Sequence, residues 1–102
     1  MKCKKWEVWF ANVKFEDTDE IKKRPVLIIG NNSGLAISLK ITTHEPRYNS
    51  DYPLKYWARA GLDKESVVMT SKILYLKDED LVRYFGRISE HDMLQIQNIM
   101  AP

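Results

Sequence analysis

The sequence predicts a mainly β protein of the α+β class, a small antiparallel sheet or barrel carrying helices at one end. Three observations point there. Strand-like segments come first and helical ones follow, without the strand–helix alternation that a parallel sheet requires. Neither GxGxxG nor GxxxxGK(S/T) occurs, which disfavours Rossmann and P-loop architectures. A length of 102 residues, 44% of them hydrophobic, suits one domain spanning 1–102, whose modest core needs neither disulfides nor a metal.

In WEVWFANVK (6–14), Trp6, Val8 and Phe10 alternate with Glu7, Trp9 and Ala11, the period of a strand with one apolar face. FEDTDEIKKR (15–24) has no periodicity and reads as an exposed loop, acidic and then basic. Pro25 opens the next strand, since a proline lacks the N–H that a mid-strand position uses. The four aliphatics VLII that come after it make this a central strand buried on both faces. GNNSG (30–34) supplies residues that tolerate positive φ, hence a hairpin turn.

LAISLKITT (35–43) sets Leu35, Ile37, Leu39 and Ile41 on one face and Ser38, Lys40 and Thr42 on the other. Residues 44–65, polar and aromatic with Pro46, Pro53 and Gly61, form a long loop of the kind that carries substrate contacts. SVVMTSKILYL (66–76) is one bent strand or two short ones. Asp78, Glu79 and Asp80 suit the first turn of a short helix that Gly86 would cap. Ser89 with Asp92 resembles a capping box. It opens a last helix whose stripe is Met93, Ile96 and Met100, widened by Leu94 and Ile99.

Sixteen Lys+Arg against fourteen Asp+Glu leave only +2, so net charge neither indicates nor excludes nucleic acid. The distribution is uneven. Residues 1–60 hold eleven basic and seven acidic side chains, and residues 61–102 hold five and seven. A basic strand-and-loop half thus faces an acidic helical half, a polarity that permits a nucleic-acid surface.

The lone Cys3 excludes an internal disulfide, leaves no Cys partner for zinc and points to a reducing compartment. It is expected in a frayed terminus, without a neighbouring base to activate it. No aliphatic run exceeds the four residues Val26–Ile29, and Glu7, Asn12 and Lys14 interrupt any leader-like segment. The expectation is a soluble cytoplasmic protein that does not engage a membrane.

His44 and His91 lie far apart and outside any HExxH pattern, so no metal site and no cofactor are expected. His91 reads as a solvated helix residue. His44 ends a strand directly after Thr42 and Thr43. Tyr48, Tyr52, Tyr56 and Trp57, interleaved with Arg47, Lys55 and Arg59, suit stacking on unpaired bases with phosphate contacts, or else a loop folded over the core.

Several stretches together resemble the PemK/MazF toxins of bacterial toxin–antitoxin systems: EVWFANVKFED (7–17), KKRPVLIIGNNSG (22–34), the strand end ITT (41–43), YPLKYWARAGLDKESVV (52–68) and LVRYFGRISEHDM (81–93). They run in the family's order over nearly the whole chain. The resemblance implies a CcdB/MazF-like fold, an SH3-like barrel of five to seven strands with a C-terminal helix, usually a homodimer. It also implies a metal-independent endoribonuclease that cuts single-stranded RNA through the RNA's own 2′-hydroxyl, leaving a 2′,3′-cyclic phosphate and a 5′-hydroxyl. A cognate antitoxin would inhibit it.

Arg24 and Thr42 match the family's active-site positions. A guanidinium grips phosphate oxygens as a bidentate fork, and a threonine hydroxyl donates to the same group. Some relatives carry an Arg, and an acid two residues later, on the strand after SVV; Met69 and Ser71 stand there instead. Arg24 stays protonated and is a poor general base, which makes His44 the candidate proton acceptor. Lys23, Asn31, Asn32, Thr43, Arg47, Tyr56 and Trp57 are the expected RNA contacts. The competing readings are a non-catalytic module of this fold that binds a protein, such as a topoisomerase poison, and a plain RNA binder.

Overall fold

The computed structural model describes residues 1–14 and 18–102; Phe15, Glu16 and Asp17, which open the expected 15–24 loop and its acidic run, lie outside the described residues. Among the described residues six strands are found: β1 (Glu7–Lys14), β2 (Ile21–Asn32), β3 (Leu35–Thr42), β4 (Asp51–Pro53), β5 (Val67–Leu76) and β6 (Leu81–Arg87), with one helix after them, α1 (Glu90–Met100). They form one antiparallel sheet in the order β4-β5-β3-β2-β1-β6. This is the mainly β architecture with a C-terminal helix that the sequence predicts.

Alternation along the central strands sends side chains into two apolar clusters, one on each face of the sheet. Leu27, Leu39, Ile41 and Val68 join Trp6, Val8 and Ile96 of α1 in the first. Val26, Ile28 and Ala36 join Cys3, Trp9, Ala11, Val13 and Leu81 in the second. β2 is therefore buried on both faces, as VLII implies. β1 is too: Val8 enters one cluster while Trp9, Ala11 and Val13 enter the other, so the expected single apolar face is corrected. Cys3 is likewise packed in the second cluster rather than frayed, and burial pushes its thiol pKa up.

Other differences have local causes. Ile21–Arg24 are strand rather than loop, because they pair with Ala11–Lys14 of β1. Pro25 therefore sits inside β2, at a point where β3 has not begun to pair and a missing N–H is tolerated. Gly30, Asn31 and Asn32 also remain in β2. The turn is the two residues Ser33 (φ 54) and Gly34 (φ 82), whose paired positive φ matches the twist of a tight hairpin.

β5 is one strand carrying a bulge, since its partner on β3 jumps from Ile73 opposite Leu39 to Met69 opposite Lys40. The helix expected from Asp78 is a 3-10 turn of three residues, and Leu81–Arg87 are strand. The open edge of β1 recruits them, and Gly86 is a strand residue rather than a cap.

Gly86 marks where the sheet curls. A second 3-10 turn, Trp57–Ala60, comes after the edge strand β4 and packs on β6, the opposite edge. A Cβ on Gly86 would lie 2.8 Å from the carbonyl of Ala60, and one on Gly61 (φ +83) would collide with that of Phe85. Two glycines let the far edges of the sheet approach, which bends it toward a barrel.

Candidate active site

β2 and β3 pair from Asn32–Leu35 as far as Val26–Lys40. Past that rung they separate. β2 runs on with β1, while β3 runs on with β5, Thr42 opposite Val67. The fork holds a cleft of about 470 Å³ bordered by Arg24, Lys40, Thr42, Thr43, His44 and Met69.

Arg24 and Thr42 each lie two residues beyond the last rung, and two residues return a side chain to the same face. Both therefore share the face of Val26 and Lys40, one on either prong. The second apolar cluster ends there, and polar side chains take over.

The hydroxyl oxygen of Thr42 accepts the backbone N–H of His44 at 3.3 Å, which fixes how the chain leaves β3. The Arg24 guanidinium donates to the carbonyl of Lys23 at 3.0 Å. Among the described residues, three basic side chains and no carboxylate border this cleft. Such a site attracts an anion, and a tetrahedral phosphate fits a fork of guanidinium and hydroxyl donors.

Thr43, His44 and Ser66 also border a second cleft of about 360 Å³, whose other walls include Trp57, Pro46, Pro53, Lys55, Glu45 and Glu65. The two clefts make one groove. Its outer wall, residues 52–57, is held by a group that the sequence presents only as a helix cap. Ser89 does cap α1, accepting the N–H of Asp92. The Asp92 carboxylate, fully buried, then accepts the Tyr52 hydroxyl at 2.6 Å, the Lys55 and Tyr56 amides at 3.0 Å each, and the Ser89 hydroxyl at 3.0 Å.

Burial alone pushes the Asp92 carboxyl up, but these hydrogen bonds, led by Tyr52, outweigh it and hold the pKa below the usual carboxylate range. The Tyr52 phenol is pushed up, by burial first and then by its bond to Asp92. Asp51 plays a similar local part, with Oδ2 accepting the amides of Arg47 and Tyr48 at 3.0 and 3.3 Å.

Of the residues singled out from sequence, the fold brings Arg24, Thr42, Thr43 and His44 to one cleft and places Trp57 in the adjoining one. Lys23, Arg47 and Tyr56 border neither cleft, although each neighbours the groove in sequence. Asn31 and Asn32 lie at the other end of β2, about 23 and about 26 Å along the strand from Arg24. His91 is exposed and meets Tyr56 edge-on at 5.8 Å. Lys40, Ser66 and Glu65 were not singled out. Lys40 had a visible signal, the same period-two face as Thr42.

Solved structures similar to this chain agree on the fold. "Mycobacterium tuberculosis toxin MazF-mt6" aligns at TM-score 0.75 and 21% identity, covering 92% of this chain and 91% of that one. "Endoribonuclease in complex with its cognate antitoxin from Mycobacterial species" aligns at 0.73 and 17%, covering 95% and 89%. MazF from Deinococcus radiodurans aligns at 0.68 and 15%, covering 92% and 87%. At these identities the likeness is one of fold. Among curated protein sequences, none matches the chain. The family model described as "PemK-like, MazF-like toxin of type II toxin-antitoxin system" matches residues 4–101, nearly the entire chain, and the protein belongs to that family.

Proposed function

We propose that the protein is an endoribonuclease toxin that cuts single-stranded RNA at selected sequences, with the RNA's own 2′-hydroxyl as nucleophile. The observation that carries this reading is the fork itself, with Arg24 and Thr42 on opposite prongs and His44 beside them in one cleft. One of the similar structures is named an endoribonuclease and is bound to its cognate antitoxin.

In this mechanism the scissile phosphate sits in the fork. His44 takes the 2′-hydroxyl proton as the O2′–P bond forms. Arg24 and Thr42 donate to the non-bridging oxygens, where charge builds in the phosphorane, and one such preorganised donor is worth about 10²-fold or more in rate. The P–O5′ bond breaks, and the departing 5′-oxygen takes a proton from water in the open groove. The products are a 2′,3′-cyclic phosphate and a 5′-hydroxyl. No metal is required, because the nucleophile comes from the substrate and the charge is met by the guanidinium.

Lys23, Thr43, Arg47, Tyr56 and Trp57 then hold the flanking nucleotides. The cognate antitoxin is the inhibitory partner. A second copy is the expected partner of exposed apolar side chains on β5 (Ile73 and Tyr75) and α1 (Leu94, Ile99 and Met100). The setting is the cytoplasm, where the RNA is; no helix among the described residues is long and apolar enough to cross a membrane. The test is RNA cleavage by the purified protein and by Arg24→Ala. Discrete cuts lost in the variant support the reading, whereas RNA bound by the wild type without cutting favours a plain binder.

A further inference from the structure

The two halves of the groove differ in chemistry. The first cleft has Arg24, Lys40 and His44 and, among the described residues, no acid, as suits a phosphate. The second has flat apolar walls, Trp57, Pro46 and Pro53, with the carboxylates of Glu45 and Glu65 at its border beside Lys55, and it shares His44 with the first. Two carboxylates make this half a poorer place for a phosphate than the first cleft, and its flat walls suit a base. Its faces pack on the ring walls, and its edge meets an oxygen that only accepts hydrogen bonds.

The second cleft is also built in advance. The Leu54 N–H donates to the Ser66 carbonyl at 2.9 Å, and the Ser66 hydroxyl donates to the Lys64 carbonyl at 2.8 Å, so the backbone on both sides of Glu65 is tied down. Asp92 holds the facing wall through the Lys55 and Tyr56 amides. Trp57, half-buried, packs on the first apolar cluster. Among the described residues, neither Glu45 nor Glu65 is in an ion pair.

A carboxylate discriminates among the four bases by the donors on their Watson–Crick edges. Guanine offers two neighbouring donors, N1–H and the N2 amine, which match two carboxylate oxygens. Adenine and cytosine place a ring-nitrogen acceptor beside their amine, and uracil flanks its one N–H with carbonyls. Resting on the endoribonuclease reading, we infer that the second cleft is a guanine-reading subsite in which the Glu65 carboxylate accepts N1–H and N2–H of the base next to the scissile phosphate. This makes Glu65 a specificity-determining residue. It is preferred to Glu45 because its backbone is fixed on both sides.

The test uses full-length protein and short 2′-O-methyl oligonucleotides, which bind without being cut. Each carries one guanine, hypoxanthine (no N2 amine), adenine, cytosine or uracil beside the central phosphate. The guanine oligonucleotide should bind tightest, and hypoxanthine about tenfold more weakly, the cost of one hydrogen bond to a charged group. Glu65→Gln should erase that difference, and Glu45→Gln should preserve it. Glu65 is exposed, so its variant should keep the fold.

Binding that ignores the base, or a guanine preference that survives Glu65→Gln, overturns the inference. Cleavage of natural RNA is monitored in parallel. If cuts occur with no guanine beside them, the subsite fails while the endoribonuclease reading stands. If the wild type neither cuts nor binds RNA, the parent reading fails, and a cleft that instead takes a peptide side chain becomes the account.

Discussion

Arg24 on β2 and Thr42 on β3 occupy the same rung of an interrupted ladder, each two residues past the Val26–Lys40 pair and facing one cleft. Had the ladder continued, the two would be ordinary cross-strand neighbours on a closed sheet. Because β2 stays with β1 and β3 turns away with β5, a gap opens between them. The donors are thus set by the sheet rather than by a loop, which keeps their spacing steady.

Replacing either donor should cost rate and leave the fold intact. Arg24→Ala is expected to lower kcat/KM for RNA by about 10²-fold or more, and Arg24→Lys to recover little, since an ammonium lacks the bidentate fork. Thr42→Val should lose about 10²-fold or more and Thr42→Ser far less, because serine keeps the hydroxyl. Thermal melts check the fold; Arg24 is exposed, and its removal should move stability by no more than about 0.5 kcal/mol.

Asp92 should be the costliest polar residue to truncate. Asp92→Ala strands the Tyr52 hydroxyl and the Lys55 and Tyr56 amides. The expected loss is about 3 kcal/mol, a fall in Tm of about 15 °C for a domain this size. Calorimetry or circular dichroism reads it directly, and a fall of only a degree or two contradicts the hub.

The same carboxyl predicts an acid limb. Its folded pKa is lowered, so its contribution is complete above the unfolded carboxyl value of about 4 and is lost as pH falls through the folded one. Urea midpoints should drop more steeply from pH 5 to pH 2 in the wild type than in Asp92→Asn. Tyr52, with its folded pKa raised, predicts the opposite limb. Stability should decline once pH rises past about 10, where the unfolded phenol ionises, and Tyr52→Phe should remove that decline.

Glycine substitutions should separate closure of the sheet from mere strand content. Gly86→Ala drives a methyl against the Ala60 carbonyl, and Gly61→Ala adds an unfavourable positive φ to a clash with Phe85. Each should cost about 2 kcal/mol or more. A Cβ on Gly30 meets nothing within 4 Å, so Gly30→Ala should be neutral or stabilising by up to about 1 kcal/mol. Denaturant midpoints of the three variants compare them side by side.

Legibility in the sequence depends on how local each signal is. VLII declared a doubly buried strand, and the alternation of Lys40 and Thr42 with Leu39 and Ile41 declared a polar face, because a period of two needs no knowledge of neighbours. Leu81–Arg87 misled because Asp78–Asp80 do begin a helical turn, and only the open edge of β1 draws the residues after it into strand. Asn31 and Asn32 look like turn residues, yet Ser33 and Gly34 take the positive φ. The Arg24–Thr42 rung depends on strand register, and Asp92 on a contact 40 residues away, neither of which a linear pattern contains.

The most direct test of the central claim is the chemistry of the cut ends. Purified protein is incubated with long single-stranded RNA in EDTA, and the product termini are identified by mass spectrometry. Discrete fragments ending in a 2′,3′-cyclic phosphate and beginning with a 5′-hydroxyl, absent with Arg24→Ala, are the predicted result. Fragments with a 3′-hydroxyl, cleavage that needs a metal, or intact RNA would contradict it.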